Sequence, residues 1–261
     1  MPDESCGPAL VTGATAGIGL EYARQLAARG HPLVLVARDR ARLDATAESL
    51  RAAHGNDVAV LPCDLAIPDG LDALVAHLTA HPVDVLVHNA GFGTKGAIAR
   101  TDPAAQVAMV HLHVTCTNRL ALAVLPGMVA RGRGAYLVVA SIASFVASRN
   151  NANYSATKGY QRQFMESVAL ELAGTGVYAQ ALCPGFTHTE FHARAAMKME
   201  RIPPWLWIPA AEVVRDSLAA MDRGGPTVVI PRWRWRAIAW LLRHAPLALL
   251  RRAATRYSKT R

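Results

Sequence analysis

A glycine-rich segment between a short apolar run and a helical pattern constrains the fold of this chain most strongly. The apolar run 9–11 leads into residues 12–19, which read TGATAGIG, and a helical pattern then continues to residue 28. Three glycines in a strand-to-helix turn let the backbone approach a ligand closely, and the start of the helix offers free N–H groups to a pyrophosphate. In this context the turn predicts a dinucleotide-binding unit.

Apolar runs alternate with helical patterns along the rest of the chain. The predicted strands after the first are 33–37, 58–61, 83–88, 136–140, 177–182 and 227–230. The predicted helices after the first are 39–54, 69–80, 103–130, 154–173 and 210–221. This alternation predicts an α/β fold of the Rossmann type, a doubly wound parallel sheet. We expect one dinucleotide-binding domain over 1–231, with a lid at about 188–210, and a helical C-terminal extension over 232–261.

The net charge of +9 comes from one end of the chain. Residues 232–261 hold nine Lys and Arg and no Asp or Glu, and the remainder holds 28 − 9 = 19 basic residues against 19 acidic ones. A nucleic-acid-binding body would spread its basic residues over a face of the fold. Nucleic acid is therefore not an expected partner.

Cysteine and histidine spacing argues against a metal site. The four cysteines lie far apart without CxxC spacing, which is typical of reduced thiols in a cytosolic protein. His188 and His192 are four residues apart but lack an acidic companion. Residues 1–5 resemble no signal peptide, and there is no run of eighteen uncharged apolar residues, so we expect a cytoplasmic protein without a membrane-spanning helix.

Six polar or glycine features fall at predicted strand ends, where ligands bind in doubly wound sheets. They are Gly13, Arg38, Asp64, Asn89, Ser141 and Pro184. Arg38 stands where an acid would favour NAD, so it favours NADP, although it could simply end its strand on the surface. Asp64 is placed for the adenine amino group, or alternatively caps the following helix.

A Tyr and a Lys with i,i+4 spacing, Tyr154 and Lys158, share one helix face. A phenol has a pKa of about 10, and a neighbouring ammonium lowers it. The pair could therefore transfer a proton near physiological pH, or it could be a Tyr packed under a Lys stem.

Several motifs, in order, resemble those of the short-chain dehydrogenase/reductase family over about residues 8–190. They are the glycine turn 12–19, Asn89-Ala90-Gly91, Ser141 thirteen residues before Tyr154, Tyr154-x-x-x-Lys158, and Pro184-Gly185 followed by Thr187 and Thr189. The resemblance implies an NADP(H)-dependent oxidoreductase acting on a carbonyl or secondary alcohol, and a homodimer or homotetramer formed through the long helices.

The resemblance also implies residue roles. Tyr154 would be the general acid or base, Lys158 would lower its pKa and bind the nicotinamide ribose, and Ser141 would bind the substrate oxygen. The implied cofactor-binding residues are Gly13, Thr15, Ala16, Gly17, Ile18, Gly19, Arg38, Asp64, Leu65, Asn89, Ala90, Gly91, Tyr154, Lys158, Pro184, Gly185, Thr187 and Thr189.

The chain departs from the family pattern at His113. The family usually has an Asn in the long central helix, thought to hold a water that relays protons through the Lys, and residues 111–115 read HLHVT here. We hypothesise that His113 takes part in catalysis in the place of that Asn, with a shifted pH optimum. The alternatives are that His113 simply packs, that the enzyme is slow, or that the chain is a non-catalytic dinucleotide-binding regulatory protein.

Two C-terminal segments are rich in apolar and aromatic residues. The lid carries Phe191, His192, Met197, Met199, Trp205 and Trp207, which favours an apolar substrate. Residues 232–261 interleave Arg with Trp and then Leu. Such a segment can pack on the body or on another subunit with solvated Arg heads, or lie in a membrane interface as a peripheral contact.

Overall fold

A computed structural model describes residues 6–94, 96–191 and 202–244. The strands are β1 (Ala9–Thr12), β2 (Leu33–Ala37), β3 (Val58–Pro62), β4 (Val85–His88), β5 (Gly134–Val139), β6 (Val177–Leu182) and β7 (Val228–Val229). The helices are α1 (Gly17–Ala27), α2 (Arg40–His54), α3 (Pro68–Ala80), α4 (Pro103–Val110), α5 (Cys116–Arg131), α6 (Ala152–Glu171), α7 (Ala210–Asp222) and α8 (Trp233–His244).

The seven strands form one parallel sheet in the order β3-β2-β1-β4-β5-β6-β7. Strands β2 and β3 lie successively on one side of β1, and β4 lies on its other side. In the pairing of β1 with β4, Val11 is in register with Val87. The strand order therefore reverses between β1 and β4, and ligands of doubly wound sheets bind outside the strand ends at this point. The predicted Rossmann-type fold is confirmed.

Both faces of the sheet are covered. Val11 belongs to the hydrophobic cluster on the face under α1, α2 and α7, whereas its neighbour Leu10 belongs to the cluster under α3, α5 and α6. Because strand side chains alternate between faces, the sequence of a doubly covered strand is apolar throughout. This is why the strand Leu33–Ala37 is a continuous apolar run, and why the buried Gln180 in β6 needs its hydrogen bonds to Ser217.

A π-helical turn, His111–Thr115, joins α4 to α5. The turn is wider than an α-helical turn, because the Cys116 N–H donates a hydrogen bond to the carbonyl oxygen of His111, five residues earlier. Among the described residues one helix, Pro103–Arg131, is long and apolar enough to cross a membrane by length and composition alone. Its residues Leu120 and Met128 are buried in the core against the sheet, so the segment behaves as a core helix.

The C-terminal extension begins as a helix packed on the body. In α8, Trp235 and Ala239 are buried, and the helix contacts the 3-10 turn Ile142–Phe145 that follows β5. The interpretation in which this segment packs on the body therefore holds for α8. Residues 245–261 and the lid residues 192–201 lie outside the described part of the chain.

Candidate active site

A cleft of about 850 Å³ runs along the carboxyl ends of the strands. Every predicted site residue lines this cleft except Gly19 and His113. The residues meet there because parallel strands all end at one edge of the sheet. The cleft also has lining residues that the motifs did not indicate, among them Arg42, Phe186 and Phe191.

The glycine turn leaves the start of α1 open to a ligand. Gly13 and Gly17 have φ angles of 66° and 54°, in the left-handed region that favours glycine. Ala16 stands at the N-cap of α1 and has no side-chain oxygen to satisfy the first N–H groups. These donors are therefore available to an anion, as a pyrophosphate requires.

Gly19 acts behind the turn instead of on the cleft. A Cβ at this position would overlap the Gly13 carbonyl oxygen and the Asn89 side chain. Gly19 allows α1 to pack close to the turn, because its neighbours leave no space for a side chain. The prediction that Gly19 contacts the cofactor stays a prediction.

Thr12 and Asn89 fix the ends of β1 and β4 against each other. The Thr12 hydroxyl oxygen accepts hydrogen bonds from the N–H groups of Asn89 and Ala90, both at 3.0 Å. The Asn89 side-chain amide donates to the carbonyl oxygens of Thr12 at 3.0 Å and Gly13 at 3.2 Å. The glycine turn is thus held from the neighbouring strand, and the buried Thr12 was missed as a positioning residue.

The two predicted adenosine-binding residues differ in how they are held. Arg38 is exposed, lines the cleft and forms no hydrogen bond or ion pair with the part of the chain described, so its guanidinium is available for a phosphate. Asp64 also lines the cleft, and its carboxylate accepts a hydrogen bond from the Ala66 N–H at 3.0 Å. The N-cap of α3 is Ile67, so the alternative that Asp64 caps this helix was wrong.

Arg42 is a functional candidate that the motifs missed. Its guanidinium donates to the Thr15 carbonyl oxygen at 3.0 Å and pairs with Glu190 at 3.2 Å. These contacts connect α2 to the glycine turn and to the segment after β6. A second arginine, four residues after Arg38 and in the first turn of α2, was the available sequence signal.

The end of β6 is fixed by neighbours on both sides. The Ile142 N–H donates to the Pro184 carbonyl oxygen at 3.0 Å, which ties this end to the turn after β5. A Cβ on Gly185 would overlap the indole ring of Trp235, so only glycine fits under α8. Further along, the Thr189 methyl group lies 2.8 Å from the position of a Cβ on Gly17.

Tyr154 and Ser141 form the polar centre of the cleft. Ser141 precedes the 3-10 turn, and its hydroxyl oxygen accepts from the Ala143 N–H at 3.1 Å. Burial raises the pKa of Tyr154 to about 12, and a hydrogen bond to the Ser141 side chain acts in the opposite direction. The expected lowering of this pKa below its ordinary value is therefore not what the structure gives.

Lys158 is buried next to Tyr154. Its ammonium donates to the Val139 carbonyl oxygen and to the Gln161 side-chain oxygen, both at 2.8 Å, and lies 5.8 Å from the centre of the Tyr154 ring. Burial lowers the pKa of Lys158 to about 7. Desolvation disfavours the charged form of each group, and this is why proximity alone does not yield a low phenol pKa.

His113 lies behind the cleft wall, in the π-helical turn. Its Nδ1 is 2.9 Å from the Thr157 hydroxyl oxygen, and that hydroxyl donates to the Tyr154 carbonyl oxygen at 3.0 Å. Its Nε2 is buried without a partner among the residues described, and a Cβ on Gly91 would be 2.9 Å from it. Burial, followed by the charge of Lys158, holds the pKa of His113 well below its ordinary value.

The profile of the short chain dehydrogenase family matches residues 8–200. The chain belongs to this family. A putative ketoacyl reductase of Streptomyces coelicolor is 39% identical over 224 residues, covering 84% of each chain. Galactitol 2-dehydrogenase (L-tagatose-forming) of Cereibacter sphaeroides is 34% identical over 250 residues, covering 87% of this chain and 96% of that one.

A solved structure of a short-chain dehydrogenase from Sphingobium yanoikuyae, in complex with NADPH, is also similar. It superposes with a TM-score of 0.82 at 35% identity and covers 88% of this chain and 92% of that one. These relatives share the dehydrogenase fold while their names give different substrates, so family membership leaves the substrate open.

Three phenylalanine side chains of this short-chain dehydrogenase, Phe92, Phe186 and Phe191, line the cleft. The Phe191 ring centre lies 5.9 Å from that of Tyr154, and Phe186 contacts Trp207 at 5.8 Å. The His188 ring stacks on Trp207 at 4.7 Å. The lid residues His192, Met197 and Met199 lie outside the described part. Within that part, no group of three or more His, Cys, Asp or Glu side chains is placed to hold a metal ion.

Proposed function

We propose that this oxidoreductase uses NADP(H) to reduce the carbonyl group of an apolar substrate, or to oxidise the corresponding secondary alcohol. The observation that carries the proposal is the position of Tyr154. This residue is hydrogen-bonded to Ser141 and lines the same cleft as the glycine turn. A proton donor and a dinucleotide-binding turn in one cleft are the two parts that such a reaction needs.

The residues of the cleft fit NADP. The uncapped start of α1 and the left-handed Gly17 suit the pyrophosphate, and the exposed Arg38 suits a 2′-phosphate. The NADPH bound to the similar Sphingobium yanoikuyae protein supports the same choice. The end of β2 carries Ala37 and Arg38, and the acid that follows, Asp39, is the N-cap of α2 and accepts a hydrogen bond from the Arg42 N–H, so NAD is the less suitable cofactor.

When bound, the cofactor supplies the hydride. In the direction of reduction, Tyr154 donates its proton to the carbonyl oxygen, and the Ser141 hydroxyl donates a hydrogen bond to the same oxygen. With its pKa raised to about 12, Tyr154 is fully protonated at neutral pH and is ready to act as the acid. Lys158, with a pKa of about 7, exchanges its proton easily near neutral pH and can help to restore that of Tyr154.

We further propose that His113 contributes to this proton path. Because the Thr157 hydroxyl donates to a carbonyl oxygen, Nδ1 of His113 is the donor in their contact and Nε2 is the acceptor. An unpartnered acceptor in a buried site is costly unless it serves a further polar group. Its position next to Gly91, which lines the cleft, supports a role in proton transfer.

The phenylalanine side chains that line the cleft favour an apolar substrate, and the similar ketoacyl reductase makes a ketoacyl compound the first class to test. The experiment follows NADPH oxidation by absorbance with ketoacyl thioesters, apolar ketones and a ketose. We expect turnover with one of the apolar classes. Tyr154→Phe should lower kcat by about 10²–10⁴-fold while NADPH binding, followed by fluorescence, is retained.

Two outcomes would count against this proposal. NADPH binding without turnover across the panel would favour a non-catalytic dinucleotide-binding protein. Equal turnover by wild type and Tyr154→Phe would remove Tyr154 as the acid.

We also propose a homodimer or homotetramer assembled through the long helices. Large apolar side chains on α4, α5 and α6 are exposed, namely Val107, Leu122, Val129 and Leu170. Pairing of these helices between subunits would remove this apolar surface from water. Light scattering on the wild type and on Leu122→Asp tests the arrangement, and a monomeric wild type would contradict it.

A further inference from the structure

Helix α8 is held on the body in one defined orientation. The buried Trp235 donates from its indole nitrogen to the Leu206 carbonyl oxygen at 3.1 Å, and its ring contacts Phe186 edge-on at 5.5 Å between centres. Ala239 follows four residues later on the same buried face. Because this face is fixed to the protein, the opposite face of α8 is directed outward.

The outward face of α8 is mainly apolar, and its one exposed polar ring in the described part, that of His244, lies 4.9 Å from the Trp240 ring between centres. Trp233, Trp240 and Leu241 are 74%, 63% and 59% exposed. Residues seven and eight positions apart share a helix face, so these three side chains form one stripe, with Ala237 between them. We call this stripe the Trp face. Two exposed tryptophans on one helix are a substantial apolar surface for a chain in water.

Basic side chains border the Trp face. Arg236 and Arg243, both exposed and seven residues apart, follow one edge of it. The segment 232–261 that contains α8 carries nine Lys and Arg without an acidic residue. The Trp face therefore has two arginines along its edge and belongs to a segment without acidic residues, so its natural counterpart is apolar and negatively charged.

We propose that the Trp face binds the surface of a membrane that contains anionic lipid. A helix with Trp and Leu on one face and Arg beside them is suited to lie in the interface, with its apolar side chains among the acyl chains. Tryptophan favours this depth because its ring is apolar and its N–H is polar. A second copy of the chain fits less well, because pairing two Trp faces would bring two such basic segments together.

Vesicle flotation with the full-length chain tests the proposal. The vesicles contain phosphatidylcholine alone or phosphatidylcholine mixed with phosphatidylglycerol. We expect the wild type to float with the anionic vesicles, less with the neutral ones, and less again as salt is raised. Deletion from residue 232 onward is unsuitable, since it would remove the buried Trp235 from the body.

Three variants separate the contributions. Trp233→Ser/Trp240→Ser/Leu241→Ser removes the apolar stripe and should reduce vesicle binding about tenfold or more. Arg236→Gln/Arg243→Gln should reduce binding to anionic vesicles only. Ile67→Ser/Ile98→Ser removes exposed apolar side chains elsewhere and should bind like the wild type. Thermal unfolding confirms that each variant is folded.

Failure of the wild type to float with anionic vesicles would overturn the proposal, as would unchanged binding of the first variant. If that variant instead changed the molecular mass found by light scattering, with no flotation of the wild type, the Trp face would be a contact between subunits. None of these outcomes depends on whether the protein reduces a carbonyl.

Discussion

The Nδ1 atom of His113 lies 2.9 Å from the hydroxyl oxygen of Thr157. Thr157 follows Tyr154 by about one turn of the same helix. The hydroxyl is already committed as a donor to the Tyr154 carbonyl oxygen, so His113 carries its proton on Nδ1. This leaves Nε2 as a proton acceptor beside Gly91. The contact therefore couples the protonation of His113 to the helix that bears Tyr154 and Lys158.

The first prediction concerns the pH dependence of turnover in His113→Asn. If Nε2 of His113 accepts a hydrogen bond in the proton path, this acceptor is lost in acid, because the protonated Nε2 can only donate. We expect wild-type kcat to fall about tenfold for each pH unit below the lowered pKa of His113, and the variant to lack this limb. The measurement is kcat against pH, with the exposed His81→Asn as control. Indistinguishable profiles for wild type and His113→Asn would leave His113 a packing role only.

The second prediction concerns cofactor choice through Arg38. Arg38→Asp replaces a cation that forms no ion pair with the described residues by a group that repels a 2′-phosphate and can accept hydrogen bonds from ribose hydroxyls. We expect the ratio of kcat/KM for NADPH to that for NADH to fall about 10–100-fold, the size of a lost charged hydrogen bond. Arg40→Ala, which loses an exposed ion pair to Asp44, is the control. A ratio that stays at the wild-type value would assign the phosphate to another group, of which Arg42 is the nearest candidate.

The third prediction compares two glycines. Gly19→Ala places a methyl group against Gly13 and Asn89, so we expect a loss of about 1–3 kcal/mol in the free energy of unfolding and weaker NADPH binding. Gly159→Ala lies in α6, where the new methyl group would meet only the Ser144 carbonyl oxygen at 3.9 Å. It should be neutral or stabilising by up to about 1 kcal/mol. Urea unfolding and NADPH fluorescence measure both, and a Gly19→Ala protein as stable as the wild type would contradict the packing described.

The fourth prediction concerns stability and the buried Lys158. Its pKa is about 7 in the folded protein, against the ordinary lysine value of 10.5, so between these values the unfolded chain holds a proton that the folded chain has released. This group therefore makes stability rise with pH from about 7 to about 10. Lys158→Met should lack that rise and gain on the order of 1 kcal/mol at pH 7, while losing turnover.

The check for Lys158→Met is urea unfolding of both proteins at about pH 7 and about pH 9.5. The difference between wild type and variant isolates Lys158 from other titrating groups. If the free energy of unfolding changed equally with pH in the two proteins, the folded protein would not disfavour the charged form of Lys158.

Much of the fold and of the cleft could be predicted from local patterns. The boundaries of β2, Leu33–Ala37, match the sequence pattern, because both faces of the sheet are covered and this run is apolar throughout. Arg38 and Ser141 were found because each directly follows such a run. At Gly19 the motif shows that a glycine is required, but only the structure shows that the Gly13 carbonyl oxygen and the Asn89 side chain require it.

The sequence by itself determined the order of strands and helices and the edge of the sheet where the polar residues meet. Local periodicity sets the elements, and parallel strands place their carboxyl ends together. Only the tertiary structure decided the chemical state of those residues. The raised pKa of Tyr154 and the lowered pKa of Lys158 arise from burial by elements distant in the chain. Spacing along a helix brings two groups together, but the surrounding fold sets which of their charges is stable.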